Sequence, residues 1–280
     1  TFYNVRFGKV VYDLFYATSG IMGTPINVCA KYIVVFIIFG AFLERTGISA
    51  FFIDLANALA GWAAGGPAKV AVLSSALQGT VSGSSVSNTV STGSFTIPLM
   101  KSLGYEPEFA GAVEAAASTG GQIMPPIMGA AAFLMAEYMG IPYASVAVKA
   151  ILPAVLYFAG IFIAVHLEAK KLGLKGIARE DLPKWSYLAK NCYLILPPAL
   201  LVWLVSTGTR TMAYAAALSI VAAMLIGFIN QLINALTERE PGVSAGSAVA
   251  AVLKKTFFST VDALVAGAKG AITVAVACAM

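Results

Sequence analysis

Charged residues are scarce in this chain of 280 residues: they make up 11% of it, while hydrophobic residues make up 59%. Soluble domains carry about 25% charged and about 45–50% apolar residues, so the composition excludes an ordinary soluble fold. Histidine occurs once and cysteine three times, at distant positions. Metal centres need clustered ligands, and a serine nucleophile needs a base within reach, which the chain does not offer. We therefore expect no enzyme and no metal centre beyond a coupling ion.

The segments without charged residues are long apolar runs. A helix needs about 20 apolar residues to cross a bilayer. Runs close to this length predict membrane spans at 26–43, 148–166, 192–206, 212–233 and from 256 onward. No segment has the pattern of a strand, so the sequence predicts an all-α polytopic membrane protein.

The basic residues lie in the loops between these runs. The net charge is +5, but the loop 169–190 alone holds six lysines and arginines. Such a loop marks the cytoplasmic side of a membrane protein and does not indicate a nucleic-acid surface. The alternation then places the loop 206–210 outside and the loop 237–242 inside. We expect a multi-pass protein of the prokaryotic cytoplasmic (inner) membrane that binds no nucleic acid.

The stretch SALQGTVSGSSVSNTVSTG, at 75–93, is polar although it lies between apolar segments. Its flanks at 67–78 and 88–100 would be helices of about 18 and 20 Å, too short for a hydrocarbon core of about 30 Å. They predict a re-entrant hairpin that turns near the middle of the membrane, which requires a tip that is buried or lines a cavity. The tip would offer oxygen ligands to a cation, and Asn88, as helix N-cap, would face an anion. A small-residue packing face at Gly79 and Gly83 is the alternative.

A second interruption follows directly. Two half-length helices at 109–119 and 127–140 flank GGQIMPP at 120–126, where glycines loosen the chain and prolines cannot continue the helix. Two successive broken segments are a sequence pointer to the binding site of a transporter. Glu114 lies in the first half-helix, where an intramembrane carboxylate is a candidate for proton or ion coupling. Pairing with Lys101 or Lys69 near the interface is the alternative for Glu114.

The blocks SGSSVSNT, TIPLM and GGQIMPP, in this order, resemble the large membrane (M) subunit of TRAP transporters, and most of all the fused permeases of TAXI-type systems. The resemblance runs from about residue 12 to 176. It implies half of an inverted-repeat, elevator-type ion-transporter fold with a re-entrant hairpin and a discontinuous helix. It also implies sodium-driven import of small organic acids, a periplasmic TAXI-type substrate-binding protein as partner, and small-subunit helices fused upstream.

The resemblance also implies the site residues. The cation site would use Gly83, Ser87, Asn88, Gly120 and Pro125, and the substrate site Ser84, Ser85, Thr89, Gly121 and Gln122. Sodium would be the coupling ion, with no other cofactor. Proton coupling through Glu114 stays open as an alternative. A channel is a further alternative, although a channel has no need of two successive broken helices.

The expected organisation follows from these segments. Residues 1–25 would form an interfacial helix, 26–64 a scaffold span with an arm helix, and 65–140 the first half of the transport domain. Residues 141–236 would be scaffold spans, and 237–280 a linker with the first span of a second half. Both ends interrupt the pattern, so we expect the chain to be a piece of a longer protein.

Overall fold

The structure, a computed structural model, describes residues 6–18, 20–178, 180, 182–208, 210–237 and 245–279. Within these ranges the chain is helical, and no strand occurs. The α-helices, in chain order, are α1 (Phe7–Phe15), α2 (Thr24–Val28), α3 (Val34–Arg45), α4 (Ile48–Ala60), α5 (Gly66–Ser82), α6 (Ser85–Ser102), α7 (Pro107–Gly120), α8 (Ala130–Met139), α9 (Tyr143–Lys171), α10 (Trp185–Asn191), α11 (Leu196–Thr207), α12 (Met212–Thr237) and α13 (Ala245–Ala279).

Five helical segments of the described chain are long and apolar enough to cross a membrane: Thr24–Arg45, Tyr143–Lys171, Trp185–Thr207, Met212–Ile233 and Ala251–Ala279. A π-helical turn joins α2 to α3, and a 3-10 turn joins α10 to α11. The predicted spans are confirmed, although most of them extend further than the apolar runs. The helical backbone continues into polar flanks because its hydrogen bonds do not depend on side-chain polarity.

The hairpin of α5 and α6 corrects the predicted tip. The two helices have 17 and 18 residues, about 26 and 27 Å, and only Gly83 and Ser84 separate them. The sequence predicts a longer irregular tip and an N-cap at Asn88. Instead Ser84 caps α6 by accepting a hydrogen bond from the Ser87 amide at 3.3 Å, and Asn88 lies within the helix.

The polar residues remain helical because their hydroxyls bond to the backbone of the preceding turn. Thr80 donates to the Leu77 carbonyl at 2.6 Å, and Thr89 donates to the Ser85 carbonyl at 2.9 Å. Such local bonds satisfy a hydroxyl without interrupting the helix. The length of a run of serine and threonine therefore does not predict the length of the irregular turn.

The hairpin tip packs against α3. Gly40 of α3 lies against the end of α5, where an added Cβ would stand 3.1 Å from the Val81 carbonyl oxygen. At the other end of the hairpin, Gly65 lies against Ala169, near the end of α9. The tip therefore lies beside the last two turns of the span Thr24–Arg45, and its depth in the membrane stays a prediction.

The second interruption is confirmed, with a longer break. Helix α7 ends at Gly120 and α8 begins at Ala130, so the break loop comprises residues 121–129. It contains Pro125 and Pro126, joined by a cis peptide bond. The Gly129 amide donates to the Gln122 carbonyl at 2.8 Å and closes the loop on itself.

An aromatic cluster holds the break loop in place. The rings of Phe133 and Tyr143 stack with centroids 4.4 Å apart, and Phe36 of α3 lies 5.0 Å from Phe133. The Tyr143 hydroxyl donates to the Pro126 carbonyl at 2.7 Å and accepts from the Met128 amide at 3.3 Å. The packing of α3, α8 and α9 thus positions the loop against the hairpin tip.

Candidate functional site

A cavity of about 280 Å³ lies where the hairpin tip, the break loop, α3 and α13 meet. We call it the tip cavity. Its apolar walls include Phe36, Phe133 and Val274, whereas its polar side chains are Glu44, Ser82, Ser84 and Ser87. The tip cavity is therefore lined by hydroxyls, one carboxylate and the backbone of two irregular segments.

The backbone of the break loop approaches the tip closely at Gly83. This glycine has φ +58°, and an added Cβ would stand 2.8 Å from each of the carbonyl oxygens of Ile127 and Met128. Among the described residues no donor bonds to either oxygen. Two bare carbonyl oxygens therefore converge on the turn of the hairpin, where only glycine fits.

Ser87 connects the tip to α3. Its hydroxyl donates to Oε1 of Glu44 in a short hydrogen bond. No local pattern marks Glu44 as a site residue, because it stands beside Arg45 at the end of an apolar run and resembles half of an interfacial charge pair. Arg45 instead lies 3.5 Å from Asp262 of α13. Only the fold reveals that Glu44 faces the hairpin.

Asn88 is fully buried on another face of α6. Its Nδ2 donates to the Ser75 carbonyl of α5 at 2.8 Å. Gly121 of the break loop lies next to this amide, since an added Cβ there would stand 2.9 Å from Nδ2. Asn88 thus joins both arms of the hairpin to the beginning of the break loop.

The structure distributes the residues of the expected cation site over four places. Gly83 and Ser87 line the tip cavity, while Asn88 lies between the arms and the break loop. Gly120 packs against the rings of Tyr157 and Phe158. Pro125 lines an apolar cavity of about 320 Å³ between the break loop, α9 and α11.

The residues of the expected substrate site lie closer together. Ser85 accepts a hydrogen bond from Nε2 of Gln122 at 2.9 Å, which links the tip to the break loop on an exposed side. Ser84 lines the tip cavity and caps α6. The Thr89 hydroxyl is bonded to its own helix, and Gly121 lies beside Asn88.

Glu114 is fully buried and bound entirely by hydroxyls. Oε1 accepts from Ser75 at 3.1 Å, Thr92 at 2.5 Å and Ser118 at 2.9 Å, and Oε2 accepts from Thr96 at 2.5 Å. This carboxylate therefore connects α5, α6 and α7.

The alternative partners of Glu114 lie elsewhere. Lys69 stands over the ring of Phe162, 5.4 Å from its centroid, and Lys101 is exposed. Neither ion pair of the described chain includes Glu114. The expectation of an interfacial ion pair is therefore wrong.

Small residues also bring the segments together, as the packing alternative expected. An added Cβ at Gly79 would stand 2.5 Å from the Cα of Gly121, and one at Gly93 would stand 2.9 Å from Cγ of Glu114. The glycines thus allow close packing, while the hydroxyls serve the buried carboxylate. The packing alternative therefore describes part of what the polar stretch does, and its role as a source of ligands for an ion stays a prediction.

The sequence matches the family described as the tripartite ATP-independent periplasmic transporter, DctM component, over residues 5–280. It is 29% identical over 198 residues to the C4-dicarboxylate TRAP transporter large permease protein DctM of Pseudomonas aeruginosa, covering 69% of this chain and 44% of that relative. It is 22% identical over 223 residues to the sialic acid TRAP transporter large permease protein SiaM of Vibrio cholerae, covering 79% of this chain and 51% of that relative. The chain spans about half the length of the curated relatives it matches.

Proposed function

The chain belongs to the DctM family of tripartite ATP-independent periplasmic transporters, and from this premise we propose that it forms part of a secondary-transport permease that imports small organic acids with a sodium gradient. Family membership agrees with the expected resemblance to TRAP large subunits. We extend the proposal to a TAXI-type binding protein as partner, to small-subunit helices fused upstream, and to the inner membrane as location.

The convergence of two irregular segments at the tip cavity carries this proposal. The hairpin turn, the break loop and α3 together line one cavity with serine hydroxyls, the Glu44 carboxylate and the residues Ile127 and Met128, whose carbonyl oxygens lie beside Gly83. Oxygen ligands of this kind replace the water shell of a hard cation such as sodium. The N-terminus of α6 opens at the same place, and its free amides favour an anionic group.

The relatives support organic acids as the substrate class. The names of the two relatives refer to C4-dicarboxylates and to sialic acid, which all carry carboxylates. The pair Ser85 and Gln122, with Ser84 and the beginning of α6, offers donors to such a group on the exposed side of the tip. We propose that the substrate carboxylate binds there.

Proton coupling is the second candidate, and the complete burial of Glu114 favours it. Transport into proteoliposomes separates the candidates, with the permease, its binding protein and a panel of radiolabelled small carboxylates. We expect saturable uptake that requires the binding protein and an inward sodium gradient. Uptake driven by a proton gradient alone, and lost in Glu114→Gln, would favour proton coupling. Uptake that does not saturate and needs no binding protein would indicate a channel.

A further inference from the structure

Lys69 is a buried lysine without an acidic partner. It lies in the first turn of α5 and is 4% exposed. Neither ion pair of the described chain includes it, and its ammonium donates no hydrogen bond there. The contact that it does make is with the ring of Phe162, 5.4 Å from the ammonium to the centroid. A cation–π contact is weaker than a hydrogen-bonded counter-charge, so Lys69 favours an anion that these residues do not supply.

Two further basic side chains, both on α9, lie close to Lys69. Phe162, His166 and Lys170 stand four residues apart and therefore share one face of α9. The charges of Lys69 and Lys170 both act on His166, and that of Lys170 also acts on Lys69. Nδ1 of His166 is enclosed and has no hydrogen-bond partner in the part of the chain that the structure describes. We call Lys69, His166 and Lys170 the basic cluster.

The surroundings of the basic cluster do not compensate its charge. Glu168, the acidic residue of α9 nearest to it in the sequence, is bound to Lys171 at 3.1 Å. The first turn of α5 contains no acidic residue, and the N-terminus of a helix carries a partial positive charge of its own. The N–H groups of lysine and histidine and the beginning of a helix all favour an anion with several acceptor oxygens, such as a phosphate group.

The position of the basic cluster indicates a lipid as the source of this anion. The cluster lies at the end of the span Tyr143–Lys171, next to the loop 169–190, whose basic residues predict the cytoplasmic side. Ile163 and Leu167, which precede and follow His166 on α9, are 57% and 60% exposed. An exposed apolar surface therefore adjoins the cluster. Basic pockets between membrane helices on the cytoplasmic side bind the head groups of anionic lipids.

We propose that the basic cluster binds the phosphate group of an anionic phospholipid of the cytoplasmic leaflet, with the acyl chains along the exposed face of α9. Lys69 supplies the buried charge from the hairpin, and His166 and Lys170 hold the phosphate from the membrane span. The lipid thus joins α5 to α9. The inference goes beyond the proposed function and is independent of the ion and the substrate that the permease carries.

Titration of the purified complete permease with phosphatidylglycerol tests this site. Thermal unfolding in detergent micelles measures the apparent affinity, and phosphatidylcholine with the same acyl chains is the reference. We expect phosphatidylglycerol, but not phosphatidylcholine, to raise the melting temperature of the wild type. Lys69→Met, which keeps the apolar stem and removes the charge, should weaken the apparent affinity about fivefold, the typical contribution of one lysine at an anionic lipid surface. Lys101→Met, at an exposed position in the last turn of α6, is the matched control and should keep the wild-type affinity.

The other outcomes would overturn the proposal. An equal loss in Lys69→Met and Lys101→Met would show a general effect of surface charge. Equal stabilisation by phosphatidylcholine would show that apolar contacts suffice, and stabilisation by inorganic phosphate with no further effect of phosphatidylglycerol would show that the anion is not a lipid. If an acidic residue in the rest of the permease pairs with Lys69, Lys69→Met should melt lower in phosphatidylcholine and respond to phosphatidylglycerol as the wild type does. A Lys69→Met variant that melts at or above the wild-type temperature in phosphatidylcholine, but responds weakly to phosphatidylglycerol, supports the inference.

Discussion

Ser87 and Asn88 are neighbours in the sequence, yet their side chains bind different parts of the protein. The Ser87 hydroxyl bonds to Glu44 of α3, and the Asn88 amide bonds to the Ser75 carbonyl of α5. Successive residues of an α-helix point about 100° apart. One turn of α6 therefore contacts both the neighbouring helix α3 and the other arm of the hairpin, α5.

Asn88 should contribute to stability through its buried amide. In Asn88→Ala the Ser75 carbonyl loses its side-chain donor inside the hairpin, which we expect to lower the free energy of unfolding by about 1–3 kcal/mol. Ser94→Ala, at an exposed position of the same helix, is the control and should change stability little. Thermal unfolding in detergent measures both, and equal melting temperatures would contradict the structural role of Asn88.

Glu114 should be the most sensitive carboxylate of the hairpin region. Glu114→Ala removes the acceptor that four hydroxyls share, of which only Thr92 and Thr96 keep a backbone acceptor in their own helix, and opens a void between three helices. We expect a loss of more than about 3 kcal/mol, the range seen when a buried polar network is broken. Glu108→Ala, at an exposed position of the same helix, should cost far less. A similar loss in both variants would show that the hydroxyl network does not stabilise the fold.

Gly79 should not tolerate a methyl group. In Gly79→Ala the new Cβ would stand 2.5 Å from the Cα of Gly121, so α5 and the break loop must move apart. Gly111→Ala on α7 is a matched control, because nothing lies within 4 Å of its added Cβ. Alanine within a helix is favoured over glycine by about 0.5–1 kcal/mol. We therefore expect opposite signs in the two melting-temperature shifts, and the same sign would argue against close packing at Gly79.

Gly83 combines a left-handed backbone with a close contact, and a second glycine separates the two effects. Gly140 has a φ of +64°, and nothing lies within 4 Å of an added Cβ there. Gly140→Ala therefore carries only the cost of the left-handed backbone, which is about 1–2 kcal/mol of stability. Gly83→Ala also meets the carbonyl oxygens of Ile127 and Met128. We expect it to lose more stability than Gly140→Ala and to weaken Na⁺ binding as well. Thermal unfolding and ²²Na⁺ binding of both variants measure this difference. Equal losses of stability in the two variants would mean that the contact with the two carbonyl oxygens adds no cost.

Much of the fold could be predicted because its signals are local. Apolar runs predicted the membrane spans, and GGQIMPP predicted the break between α7 and α8, since glycine and proline act on the backbone where they stand. The hairpin itself was predicted from the lengths of its apolar flanks. The irregular tip was predicted too long because serine and threonine hydroxyls can bond within a helix.

The sequence by itself determined the membrane character, the helical class and the two interrupted segments, because composition and backbone preferences act within a few residues. Only the tertiary structure decided which polar groups meet. Glu44 and Ser87 are 43 residues apart, and Glu114 is 39 residues from Ser75. Such contacts depend on how α3, α5, α6 and α7 pack, and no local pattern records the packing. The hydroxyls that looked alike in the sequence therefore divide between a buried carboxylate, their own helices and the cavity at the hairpin tip.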